Sequence, residues 1–347
     1  MHIDQMATTA RQLMADNKGL IAMDESLPTI TTRFDAEGIP TTEETRRAYR
    51  ELIVTTPNIG DYLSGAIMVE ETVGQSTTEG VRFIDILREK GILPGIKVDE
   101  GLMELAGFEG ETITVGLDHL RERLKHYGEL GLKFAKWRAA FPISADTPTE
   151  GSIVANVHEL ARYAALCQEA GILPIVEPEV LMNGLHDIHR CAEVTRHVLR
   201  ELFIQLNLQQ VHYRCLILKP NMVLSGLDSP VQASDTEVAD ATVDALMETV
   251  PAAVAGVAFL SGGQTSEIAT EHLNAIHANY PDLPWPVTFS YSRAIQEPAL
   301  HLWAGKKENV KAAQDLLLQR LELLMLARRG IYQPALEGKS TTTSART

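Results

Sequence analysis

Eight short apolar runs, each closed by a charged or small polar residue, constrain the fold of this chain more than any other feature. They are Gly19–Asp24, Tyr62–Glu70, Ile92–Lys97, Leu132–Lys136, Ile172–Glu177, Cys215–Lys219, Gly256–Ser261 and Pro286–Ser290. Near-continuous apolar runs of this length, flanked by turn residues, are expected of strands buried on both faces. The seven steps from position 24 to position 290 average 38 residues. Between the runs lie stretches with helical periodicity: Ser152–Ala170, Asp187–Leu206, Thr236–Thr249, Ser266–Ala278 and Asn309–Leu326. In the first of these, Ile153, Val157, Leu160, Tyr163, Ala164 and Cys167 form one stripe that stops at Gly171. Eight strands alternating with helices predict a parallel sheet in an α/β protein, and eight such units close most simply into a (β/α)8 TIM barrel. The competing fold is an open doubly wound sheet, but no G-x-G-x-x-G follows the first strand.

The chain has 347 residues, long for one ordinary domain, yet an α/β barrel of that size is a single unit. No Pro- or Ser-rich linker divides it. We therefore expect one barrel domain over residues 1–337 and a polar C-terminal tail over 338–347. An apolar content of 45% excludes a disordered chain. The net charge of −15 argues against nucleic acid or anionic lipid as a partner, so an anionic ligand requires a local basic cluster. No run reaches the ~18–20 apolar residues of a membrane span, and the first residues lack a signal-peptide core. Cys167, Cys191 and Cys215, an odd number without C-x-x-C spacing, read as buried thiols in a reducing, cytoplasmic compartment.

In a barrel, chemistry collects at the C-terminal ends of the strands. Those ends carry Asp24, Lys97, Lys136, Glu177, Lys219 and Ser261, with Arg293 just past the last run. Alternation along a strand puts Lys136 with Arg138 on one face, and Glu177 with Glu179 on one face. Each residue alone reads as a solvated strand end. Converging on one mouth, such charges must neutralise one another or serve a ligand.

A lysine held among cations and partly buried loses its proton more easily, and a value near ~7–8 supplies the neutral amine needed for Schiff-base formation. The iminium then acts as the electron sink for breaking a C–C bond, with no metal or other cofactor required. Carboxylates such as Glu177 and Asp24 would move the protons. Ser261-Gly262-Gly263, together with Ser290–Arg293, forms an anion-binding pattern after strands seven and eight of a barrel. His186 and His189, with Cys191 nearby, have the spacing of a zinc site but no partnering cluster at another strand end, so helix-surface residues are the expectation.

Seven segments in order carry a specific resemblance: Met23–Ser26, Gly95–Asp99, Phe134–Arg138, Pro174–Glu179, Leu218–Met222, Phe259–Gln264 and Gly305–Asn309. From about residue 10 to 335 the chain resembles the class I (Schiff-base) fructose-bisphosphate aldolases of animals and plants. That resemblance implies a metal-independent lyase that reversibly cleaves fructose 1,6-bisphosphate to dihydroxyacetone phosphate and glyceraldehyde 3-phosphate in glycolysis and gluconeogenesis. It implies Lys219 as the Schiff-base lysine, Glu177 as the main acid/base and Glu179 as the group that positions the lysine. Asp24 and Lys136 would act at C–C cleavage. Ser261, Gly262, Gly263, Ser290 and Arg293 would surround one phosphate, and Arg33, Lys97 and Arg138 would face the other. A cytosolic homotetramer is also implied.

Three departures from the family pattern bear on these expectations. Leu27-Pro28 replaces a polar loop and removes two donors. Ser292 stands where the family has glycine, so backbone strain is expected there if φ is positive. The chain ends in Ala-Arg-Thr347 rather than tyrosine, its last tyrosine being Tyr332. These leave open a preference for sedoheptulose 1,7-bisphosphate or fructose 1-phosphate, and a phosphate-sugar-binding scaffold with little turnover.

Overall fold

The computed structural model describes residues 3–338; the C-terminal tail expected from 338 onward lies, apart from Gly338, outside the described residues. The strands are β1 (Gly19–Met23), β2 (Leu63–Met68), β3 (Leu93–Lys97), β4 (Leu102–Glu104), β5 (Thr112–Thr114) and β6 (Phe134–Phe141). They continue with β7 (Leu173–Val180), β8 (Ile217–Leu218), β9 (Gly256–Phe259) and β10 (Val287–Tyr291). Eight of them close into a barrel in the order β1-β10-β9-β8-β7-β6-β3-β2. Every pair in that circuit is parallel. Each apolar run became a barrel strand, because a parallel strand covered on both faces has no polar side to show.

Two details differ from the sequence reading. β4 and β5 form a small antiparallel hairpin outside the barrel, with no run to announce it. β6 and β7 also continue past Lys136 and Glu177 to Phe141 and Val180, so both residues sit inside strands rather than at their ends. The register explains this continuation. Arg138 lies opposite Glu177, so one charge is matched across the sheet, and the pairing runs on through Ala140 opposite Glu179 to Phe141 opposite Val180. On the other face of β6, Trp137, Ala139 and Phe141 are buried, and Trp137 stacks on Tyr163 of the helix Glu150–Ala170 at 5.5 Å.

The expected helices are present and locally well ended. Thr149, Asp187, Ser234 and Thr265 each accept a first-turn N–H, and Gly171 (φ 74°) closes the helix Glu150–Ala170. Two hydrophobic clusters result. The larger lies between strands and outer helices. The smaller fills the barrel interior with Leu20, Ile67, Phe134, Ile175 and Ile217, and the helix Ile3–Leu13 adds Met6, Ala10 and Leu13. That helix plugs the N-terminal end of the barrel. Gly95 makes the filling possible: a Cβ there would lie 2.3 Å from the Phe134 ring. All three cysteines are buried free thiols.

Candidate active site

At the C-terminal end of the barrel is a cavity of about 770 Å³. Twelve of the thirteen residues named from the sequence line it: Asp24, Arg33, Lys97, Lys136, Arg138, Glu177, Glu179, Lys219, Ser261, Gly262, Ser290 and Arg293. Gly263 is the exception. Its N–H is turned to Met182, donating to Sδ at 2.7 Å.

Four buried charges form the floor. Lys219 Nζ lies 2.8 Å from Glu177 Oε1, Lys136 Nζ lies 3.0 Å from Glu177 Oε2, and the same Nζ lies 2.7 Å from Asp24 Oδ2. Two cations and two anions thus alternate in a chain, Lys219–Glu177–Lys136–Asp24, which is the arrangement that makes buried charge tolerable. Burial pushes the Asp24 carboxyl up, but the combined fields of Lys136, Lys219 and Lys97 outweigh it and leave its pKa at about 2. Burial likewise raises Glu177, and Lys136 and Lys219 together bring it below the usual carboxylate value. Burial alone would strip the proton from Lys136, yet Asp24 and Glu177 reverse this and hold it firmly as a cation. Both carboxylates are therefore ionised at neutral pH.

A depressed carboxylate is a source of stability with a defined acid limit. The Asp24 value falls from 3.8 to about 2 on folding, so its contribution is complete above about pH 4 and is lost as pH falls through 2. The shift corresponds to about 2 kcal/mol. Urea unfolding between pH 5 and pH 2.5 is expected to show this acid slope in the native chain and a shallower one in Asp24→Asn. Equal slopes would remove Asp24 from the account.

The upper wall carries the remaining cations, each with a partner. Lys97 Nζ lies 2.6 Å from Asp99 Oδ1 and also donates to the Asp99 carbonyl at 2.7 Å. Arg138 is bonded to Glu179, while the acid in contact with Lys219 is Glu177. The geometric cause is the two-residue offset along β7. It carries Glu179 one pleat above the floor and beside the β6 arginine.

The residues expected to bind an anion lie on the β9 and β10 side. Gly262 adopts φ +57°, a conformation that suits glycine, and its carbonyl accepts from Arg293. The Ser290 hydroxyl is buried and has no hydrogen-bond partner among the described residues, although it lines the cavity. An unpaired buried hydroxyl at a cavity wall is a group waiting for a ligand. Across the mouth, Pro28 occupies the first turn of the helix Leu27–Ala36, where its missing N–H costs nothing, and Leu27 points outward at 58% exposure. Ser26, Thr29 and Thr32 line the cavity there and restore hydroxyl groups to the altered loop.

Sequence reasoning missed Glu25, Arg50, Asp99 and Gln296. Glu25 and Asp99 stood inside the quoted motifs Met23–Ser26 and Gly95–Asp99, and that proximity was the available signal. Arg50 and Gln296 are buried in helices and carried none. Ser292 has φ −107°, so the backbone strain expected there is absent, and its hydroxyl is bonded instead.

Residues 5–346 match the family described as fructose-bisphosphate aldolase class-I. The chain belongs to the class I fructose-bisphosphate aldolase family. A probable class 1 fructose-bisphosphate aldolase of Xanthomonas campestris is 52% identical over 334 residues, covering 96% of this chain and all of the relative. The muscle-type fructose-bisphosphate aldolase of Lethenteron camtschaticum is 45% identical, covering 98% of this chain and 94% of its own. A cytoplasmic isozyme of Cicer arietinum is 48% identical over 95% of this chain and 92% of its own. The solved structure of the Plasmodium falciparum fructose-bisphosphate aldolase superimposes with a TM-score of 0.94 at 44% identity, covering 96% of both chains. Members of this family are lyases. Among the described residues, no helix is long and apolar enough to cross a membrane.

Proposed function

We propose that this aldolase cleaves fructose 1,6-bisphosphate reversibly to dihydroxyacetone phosphate and glyceraldehyde 3-phosphate through a Schiff base on Lys219. The observation that carries this reading is the asymmetry between the two buried lysines. Lys136 is pinned between two carboxylates and stays charged, whereas Lys219 has one carboxylate partner, Glu177. Of the two amines, Lys219 is the one we assign to attack the ketone.

The chemistry follows from the distances. Glu177 Oε1, 2.8 Å from Nζ, is in reach to take the proton that frees the amine. Nζ adds to the ketone carbon to give a carbinolamine. Glu177 returns a proton to the departing hydroxyl, and water leaves as the iminium forms. The iminium accepts the electron pair when the adjacent C–C bond breaks. Asp24, ionised across the neutral range, accepts the hydroxyl proton on the carbon that becomes the aldehyde. Lys136, 2.7 Å from Asp24, places its positive charge where oxygen develops negative charge. The remaining enamine is protonated and hydrolysed to release the second product. Ser261, Gly262, Ser290 and Arg293 bind the phosphate of the ketone half, while Arg33, Lys97 and Arg138 face the other phosphate. We place the enzyme in the cytoplasm, as a homotetramer without a metal cofactor.

Borohydride reduction in the presence of dihydroxyacetone phosphate is expected to fix a stable adduct on Lys219, with activity indifferent to chelators. An adduct elsewhere, or none, would sink the assignment. Comparing kcat/KM for fructose 1,6-bisphosphate, sedoheptulose 1,7-bisphosphate and fructose 1-phosphate then ranks the substrates. Turnover of none would leave a binding protein.

A further inference from the structure

The loop leaving β10 presents a hydroxyl, that of Ser292, where the family pattern has no side chain. All of that hydroxyl's hydrogen-bonding capacity is used, since a hydroxyl has one hydrogen to give and two lone pairs to receive. Ser292 Oγ donates to Glu25 Oε1 at 2.9 Å, and it accepts from Arg33 Nη1 at 3.1 Å and from Gln296 Nε2 at 3.2 Å. Serine at the start of a helix ordinarily caps that helix. Ser292 immediately precedes the helix Arg293–Trp303 but makes no side-chain cap bond, its hydroxyl being committed across the cavity mouth.

The partners are themselves fixed. Glu25 is buried, with Arg33 on one oxygen and Arg50 on the other. Gln296 Nε2 also donates to the Ala22 carbonyl at 2.7 Å, and its Oε1 accepts from Tyr49 Oη at 3.2 Å. Among the described residues only Nη1 of Arg33 is engaged, which leaves Nε and Nη2 for a ligand. Arg33 and Ser292 both line the cavity, and Ser290 and Arg293 flank Ser292 along the chain. The hydroxyl therefore joins the arginine of one phosphate end to the loop that forms the other.

We propose that Ser292 is a positioning residue that holds Arg33 in place for the second phosphate and so sets selectivity for bisphosphate over monophosphate sugars. This rests on the aldolase reading above. An arginine side chain has four flexible torsions, and a ligand must order whatever the protein has not already ordered. With Ser292 present, one guanidinium nitrogen is bound by two partners before substrate arrives. With the hydroxyl removed, Glu25 still pairs with Arg33 but is left alone to define its direction. Only a sugar that carries the second phosphate registers the difference.

The experiment compares native enzyme, Ser292→Ala and Ser292→Thr on fructose 1,6-bisphosphate and fructose 1-phosphate. Ser292→Ala is expected to raise KM for the bisphosphate roughly five- to tenfold, the scale of one net hydrogen bond. kcat on both sugars and KM for the monophosphate should stay within about twofold. Ser292→Thr, which keeps the hydroxyl, should restore the bisphosphate KM. An equal rise for both sugars, or no rise for either, overturns the proposal. Native enzyme that cleaves neither sugar overturns the functional reading instead, and this inference with it.

Discussion

Lys219→Met is expected to lower kcat for bisphosphate cleavage by about 10⁴-fold or more, the scale seen when a covalent nucleophile is removed. At ~1.4 kcal/mol per tenfold, that is at least about 5 kcal/mol of lost transition-state stabilisation. The change should fall on kcat, with KM little altered, because the phosphate-binding groups on β9, β10 and the opposite wall are untouched. The fold is expected to persist. Methionine is close to lysine in volume and apolar, and Glu177 keeps Lys136 as a counter-charge at 3.0 Å. Single-turnover assays with circular dichroism as a folding control check both halves. A variant that retains more than a hundredth of native kcat would require another nucleophile.

Lys136→Met should be damaging for a different reason. It removes the cation between Asp24 and Glu177 and leaves Asp24 buried without its partner at 2.7 Å. Stranding a buried charge in this way costs about 3–5 kcal/mol. The deficit is expected to be largest at neutral pH. Without Lys136, burial dominates and the Asp24 carboxyl rises from its present value of about 2, so acid neutralises the stranded charge and the gap to native protein narrows. Urea unfolding at pH 7 and pH 4.5 tests the sign. A second substitution, Glu177→Gln, should return part of the stability while leaving the enzyme inactive. If Lys136→Met is as stable as the native chain at pH 7, the alternating-charge account of the floor is wrong.

How much of this was visible in the sequence depended on how local each cause was. The barrel was legible because strands buried on both faces leave uninterrupted apolar runs, and such runs need no knowledge of what packs against them. The hairpin β4–β5 was not: three exposed residues, Leu102–Glu104, show neither alternation nor length. The true extents of β6 and β7 were also hidden. Lys136 and Glu177 look like strand ends until the register reveals that β6 and β7 stay paired beyond them, as far as Phe141 and Val180. Glu25 is the clearest case. It adjoins Asp24, yet its partners lie 8, 25 and 267 residues away, so nothing local marks it as the anchor for two arginines and a serine. The expected strain at Ser292 failed for a related reason. Its backbone stays at negative φ while its side chain finds distant acceptors and donors.

The helix Ile3–Leu13 stops the far end of the barrel, so among the described residues the candidate site opens at the C-terminal mouth. On the mechanism proposed above, the ketone-derived fragment stays covalently tethered to Lys219 after the bond breaks, while the aldehyde has no covalent tie to the chain. That mechanism then predicts an order of departure, aldehyde first and ketone second, and in synthesis the reverse sequence of arrivals.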